Sequence, residues 1–131
     1  MPNYLRASEL QSVLDAGRAI EQWLGCRAES DDRVIEWLRI HRDKLGRFEV
    51  TRFEVYDEGN RNFCDVYEFH SIEPDEPFGT EQLFDDSTSA LKYATEVLGA
   101  SEDRFVGSGM IQAVYLQYLR DFGELPKNRA S

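Results

Sequence analysis

The spacing of apolar residues changes period along this chain, and that change leaves few folds open. Up to residue 46 and again after residue 86 they recur at helical intervals, whereas from Phe48 they alternate. Leu10, Val13, Leu14, Ile20, Trp23 and Leu24 predict a helix over 8–24, with Ser8 and Gln11 at capping-box spacing and Gly25 as its stop. Gly17 falls on the same stripe, where it costs about 1 kcal/mol against Ala unless another element packs closely. Ser30, followed by Asp31 and Asp32, predicts the start of a second helix. Val34, Ile35, Leu38 and Leu45 form its apolar face and Trp37 its edge. Arg39, His41, Arg42 and Lys44 crowd its last turn, and Gly46 ends it.

Phe48 and Val50 then share one parity and Phe53 and Val55 the other, which predicts a β-bulge near Thr51 and Arg52. Residues 56–61 read as a hairpin loop and 63–70 as the partner strand, apolar on both faces. Pro74 and Pro77 among acids make 71–79 an exposed loop, and 82–84 is a candidate third strand. Asp86 or Ser87 caps a third helix with Leu91, Ala94, Val97 and Leu98 inward, ended by Gly99. A fourth begins after Gly107-Ser108-Gly109, carries Met110 to Phe122, and stops at Gly123 and Pro126. The order α-α-β-β-(β)-α-α predicts an α+β fold. Its small antiparallel sheet of two or three strands, built on a central hairpin, packs with about four helices. The expectation is one domain over 1–126 and a loose tail at 127–131.

Charge narrows the function classes. The net charge of −10 is concentrated: residues 51–100 carry 12 acids and 3 bases, against 9 and 8 before them and 4 and 4 after. Such a field repels nucleic acid and anionic lipid and favours a basic partner or a bound cation. No apolar run is long enough to span a membrane, and the amino terminus lacks a signal-peptide core, so the expectation is a cytoplasmic protein with Cys26 and Cys64 unpaired.

Motifs for chemistry are weak. Cys64 and His70 stand about 20 Å apart along an extended strand, too far for a nucleophile and its base. Glu68 and His70 could flank an ion on one strand face, but two ligands are not a site, and no zinc or calcium spacing occurs. Gly107-Ser108-Gly109 lacks the third glycine of a dinucleotide fingerprint and the lysine of a P-loop, and Ser108 reads as an N-cap. Acid pairs such as Asp65 and Glu68 arise by chance among 25 acids. No cofactor, metal or catalytic residue is expected from these patterns.

What remains is a surface of acids with interleaved aromatics: Glu54, Tyr56, Asp57, Glu58, Asp65, Glu68, Glu73, Asp75, Glu76 and Phe78. Its leading reading is a non-catalytic binding protein that masks or inhibits a basic protein, as an immunity protein does a nuclease. A solvated hairpin with acids outward is the plainer reading of the same residues. A second function reading is a small enzyme or ligand-binding domain with a pocket between sheet and helices, involving His41, His70, Cys64, Asp65 or Glu68. A third is an oligomerising module that uses Trp37 or the final helix.

Overall fold

The computed structural model describes residues 3–29, 31–59, 65–73, 75 and 79–122. A helix, α1 (Leu10–Asp15), leads into three long strands, β1 (Ile20–Glu29), β2 (Asp32–Arg42) and β3 (Phe48–Tyr56). A 3-10 turn (Val66–Glu68), β4 (Thr80–Phe84), α2 (Ser87–Glu96), β5 (Val106–Gly107) and α3 (Ile111–Phe122) follow. The strands form one antiparallel sheet in the order β4-β3-β2-β1-β5.

This corrects the expected fold class. Among the described residues the sheet has five strands, not two or three, and there are three α-helices. Of the helix expected over 8–24 only Leu10–Asp15 is α-helix and β1 begins at Ile20, while the helix expected over 30–46 is mostly β2. Gly17 does not interrupt a helix but ends one. It sits at φ 88°, its N–H donates to the Leu14 carbonyl, and the Arg18 N–H donates to that of Val13. That pair of bonds is a Schellman stop, which favours glycine because a Cβ is strained there. Gly46 likewise belongs to the β2–β3 hairpin, where Asp43 Oδ1 accepts from the N–H groups of Leu45 and Arg47. The expected partner strand over 63–70 is not one. Its described part is a 3-10 turn and bends, while Phe63 and Cys64 lie outside the described residues.

Covering both faces of the sheet, at opposite ends, explains the pattern. α1 and α2 pack one end of the first face, around Leu14, Ile20, Leu38, Ile40, Phe48, Val50 and Ala94. α3 and the segment 66–69 pack the other end of the second face, around Ile35, Trp37, Val55, Val66, Phe69, Ile111 and Tyr115. β2 is the middle strand, so Val34, Ile35, Trp37, Leu38 and Ile40 are all buried. The parity switch in β3 has the same cause: Phe48 and Val50 face one layer and Val55 the other. β3 pairs with β2 without a register shift, and the irregularity lies instead between Trp23 and Gly25 of β1.

The remaining elements follow the sequence closely. Asp86 caps α2, its Oδ1 accepting from the Ser89 N–H at 2.7 Å. β4 includes the expected 82–84 strand. Gly79 precedes it at φ 85°, where a Cβ would lie 2.6 Å from the Arg52 carbonyl oxygen. The stops expected at Gly123 and Pro126, and the tail, lie outside the described residues. No helix among the described residues is long and apolar enough to cross a membrane.

Candidate functional site

Antiparallel register aligns side chains in rows across the second face. One row runs Glu21, Arg39, Thr51, Glu81 through β1, β2, β3 and β4. The row on one side of it holds Trp23, Trp37 and Phe53, and the row on the other holds His41 and Glu49. α3 covers the Trp23 side of this face. Beyond it the charged rows line a cavity of about 260 Å³, walled also by Val55, Val66, Tyr67 and Phe69.

Aromatic rings fix the floor. Trp37 stacks on Phe53 with centroids 4.1 Å apart and meets Tyr67 edge-on at 5.3 Å. The Arg39 guanidinium lies within 6 Å of all three rings, at 5.9, 5.5 and 5.8 Å from Trp37, Phe53 and Tyr67, a range in which the ring quadrupole attracts a cation.

Behind Arg39, Glu21 is fully buried. Its carboxylate accepts the Tyr67 hydroxyl at 2.6 and 2.8 Å, the Gly109 N–H at 3.1 Å and a bond from the Ile111 backbone. A strand carboxylate thus caps α3, at the glycine-flanked helix entrance where the sequence predicted Ser108 as the cap. Burial pushes the Glu21 carboxyl above its ordinary range, only partly opposed by these bonds and by Arg39. Burial first, then donation to Glu21, raises the Tyr67 phenol far above its usual value.

At the mouth, Glu49 and Glu81 crowd one another. Sharing a hydrogen bond with Glu49, and then the Glu49 charge, raises the Glu81 carboxyl above its ordinary range, while His41 opposes. Glu49 also receives the Thr51 hydroxyl at 3.3 Å and faces His41 Nε2 at 3.6 Å. The described residues hold four buried side-chain nitrogens with no hydrogen-bond partner in the protein. Three of them, Trp37 Nε1, Arg39 Nε and His41 Nδ1, belong to residues lining this cavity.

A second polar cluster lies under α3. Asp57 accepts the hydroxyls of Tyr115 at 2.5 Å and Tyr118 at 2.9 Å, and pairs with Arg33 at 3.1 Å. Burial, then the Asp57 contact, drives the Tyr115 phenol far above its usual range; the same two causes act on Tyr118. The Asp57 side chain is 1% exposed, so it braces the fold and does not form part of a surface.

The acids singled out from sequence therefore divide. Glu54 pairs with Arg27 at 2.9 Å and Arg52 at 3.4 Å on the first face, and Arg52 also binds Glu36. Tyr56 is half-buried. Glu58 accepts the His70 N–H at 2.6 Å and faces its Nδ1 at 2.9 Å, and Asp65 accepts from Gln112 at 3.3 Å. Glu68, Glu73 and Asp75 are exposed, while Glu76 and Phe78 lie outside the described residues. Cys26 is an exposed free thiol. Of the five groups proposed for a pocket, His41 is there; Asp65, Glu68 and His70 do not line it, and Cys64 lies outside the described residues. Among the described residues no three His, Cys, Asp or Glu side chains group to hold a metal. Trp37, offered for a subunit contact, is 1% exposed and forms the cavity floor instead.

Sequence reasoning missed Glu21, Trp37 and Arg39 as site residues because it placed them on helices. The usable signal was Trp37-x-Arg39-x-His41, an alternation that puts three ring or cationic side chains on one strand face. Comparison with protein-family models, with curated proteins and with solved structures gave no match to this chain.

Proposed function

We propose that this chain is a non-catalytic binding protein that docks a basic protein along one edge of its sheet and masks it. The observation carrying the reading is where the uncommitted acids collect. Outside β3 runs a single edge made of two segments. Residues 70–72 bond to Glu54 and Tyr56 and bridge Val55 through Ser71, and β4 pairs from Phe48 to Arg52. Glu73, Asp75 and Asp85 lie on or beside that edge, and Glu68 lies just before it, all exposed. Leu83, 43% exposed on β4, supplies an apolar contact among them. Several arginines are meanwhile engaged internally, with Asp43, Glu36, Glu54 and Asp57. Acids massed at a rim accelerate encounter with an opposite charge, and an apolar residue among them adds holding contact.

The test is capture from native lysate by the wild type beside a variant carrying Glu68→Gln, Glu73→Gln, Asp75→Asn and Asp85→Asn. The expected result is a stoichiometric basic protein retained by the wild type alone. Equal retention by both, or no basic partner with either, rejects the reading. The cavity favours a second reading, a ligand-binding domain.

A further inference from the structure

We propose that the cavity on the second face binds a small zwitterion of the α-amino-acid type with an apolar side chain. This goes beyond the docking edge and does not depend on it.

Three features of the one cavity converge on this chemistry. The first is a cation at the floor. The Arg39 guanidinium lies over the Trp37, Phe53 and Tyr67 rings, and all four residues line the cavity. An anionic group suits that guanidinium, and a carboxylate fits its planar fork.

The second is a surplus of negative charge at the mouth. Glu49 and Glu81 lie on neighbouring strands and share a hydrogen bond, and His41 offsets their charge in part. An ammonium placed between them replaces that repulsion with two attractions. In the row order Arg39 and Glu81 are two strands apart, roughly 10 Å between backbones. Their side chains converge on the space between, where one molecule carrying both charges can meet both.

The third is size and wall. A cavity of 150 Å³ accommodates benzene, so about 260 Å³ takes a ring or branched alkyl group with its charged atoms. Phe53, Val55, Val66 and Phe69 offer the apolar wall for that group. A simple carboxylate leaves the Glu49–Glu81 crowding in place, and a simple amine leaves the Arg39 guanidinium without an anion from the ligand. The zwitterion answers both.

Isothermal titration of the full chain with L-phenylalanine and L-leucine, against 3-phenylpropanoate and phenethylamine, tests the proposal. At least one amino acid should bind at a single site, with each one-charge analogue about tenfold weaker or more. The Trp37 indole N–H resonance should move on titration with the amino acid. Glu81→Gln, at an exposed position where folding is not at stake, should weaken the amino acid several-fold and leave phenylpropanoate unchanged. No binding by any of the four at millimolar concentration overturns the proposal. So does phenylpropanoate or phenethylamine binding as tightly as the amino acid, or an unmoved Trp37 signal. The edge variant tested above keeps every cavity side chain. It should therefore bind the amino acid like the wild type, whatever becomes of its protein partner.

Discussion

Removing the buried carboxylate that caps α3 from a neighbouring strand tests how the second face is held together. Glu21→Ala strips the acceptor from the Gly109 and Ile111 backbone and from the Tyr67 hydroxyl, in a place with no exposed surface. Each buried donor left unmet costs about 1–3 kcal/mol. The wild type already bears the cost of a desolvated carboxylate, which the truncation relieves. The two together give a net loss of about 3 kcal/mol out of a typical 5–15. Urea unfolding followed by tryptophan fluorescence at pH 7 reads that loss as a lower midpoint with unchanged slope. Glu21→Gln separates the hydrogen bonds from the charge. Burial raises the Glu21 carboxyl above its ordinary 4.5 in the folded chain. Just above that pH the native state still holds a proton that the unfolded chain has released. The stability Glu21 contributes is then full below about pH 4.5 and declines as pH rises through the folded pKa. Gln has no proton to lose, so the variant should match the wild type near pH 4 and gain on it towards pH 7. A loss below 1 kcal/mol for Glu21→Ala, or a Gln variant that falls further behind as pH rises, would refute the reasoning.

Three further outcomes follow from the same geometry. Asp57→Asn replaces one carboxylate oxygen with a donor facing two hydroxyls and a guanidinium, and should cost about 3 kcal/mol in urea unfolding; a change under 1 kcal/mol would contradict the bracing role. Gly79→Ala places a Cβ against the Arg52 carbonyl at positive φ and should cost about 2 kcal/mol. Faster amide exchange in β4 than in β2 would locate the damage, and unchanged stability would contradict the close approach. In a spectrophotometric alkaline titration, Tyr67, Tyr115 and Tyr118 should stay protonated through the usual phenol range near pH 10 and ionise only as the chain unfolds. Native binding of those protons means stability falls as pH climbs past that value, so reversible ionisation of all six tyrosines near 10 would contradict the contacts.

The carboxy-terminal half was legible because its elements show local signals. Asp86 offers a cap, Leu91 and Ala94 a stripe, and Ile111 to Leu119 a helical face. The amino-terminal half misled because β2 is covered on both sides. Val34, Ile35, Trp37, Leu38 and Ile40 form a nearly continuous apolar run, and positions 34, 35 and 38 within it imitate a helical stripe. Their β-branched and aromatic character was the signal that favoured a strand. Gly17 and Gly46, read as a helix interior and a helix stop, were turn residues. His41 and the acids Glu68, Glu73 and Asp75 were named from the sequence, whereas Glu81 and Asp85 of the same edge were not. The Glu21–Tyr67 bond could not be foreseen, since 46 residues separate the partners and only the register of β1 against β2 brings Glu21 beside Arg39.

Positive charge is proposed to dock along the outer edge of β3, at residues 68–73 and 75 and at β4. Amide resonances followed during titration with a lysine decapeptide at low salt address this without knowledge of the natural partner. Perturbations should gather at 68–75 and 80–85 and fade at about 0.5 M salt, where screening shortens to a few ångströms. Shifts spread evenly over the surface, centred on another element, or indifferent to salt would contradict it.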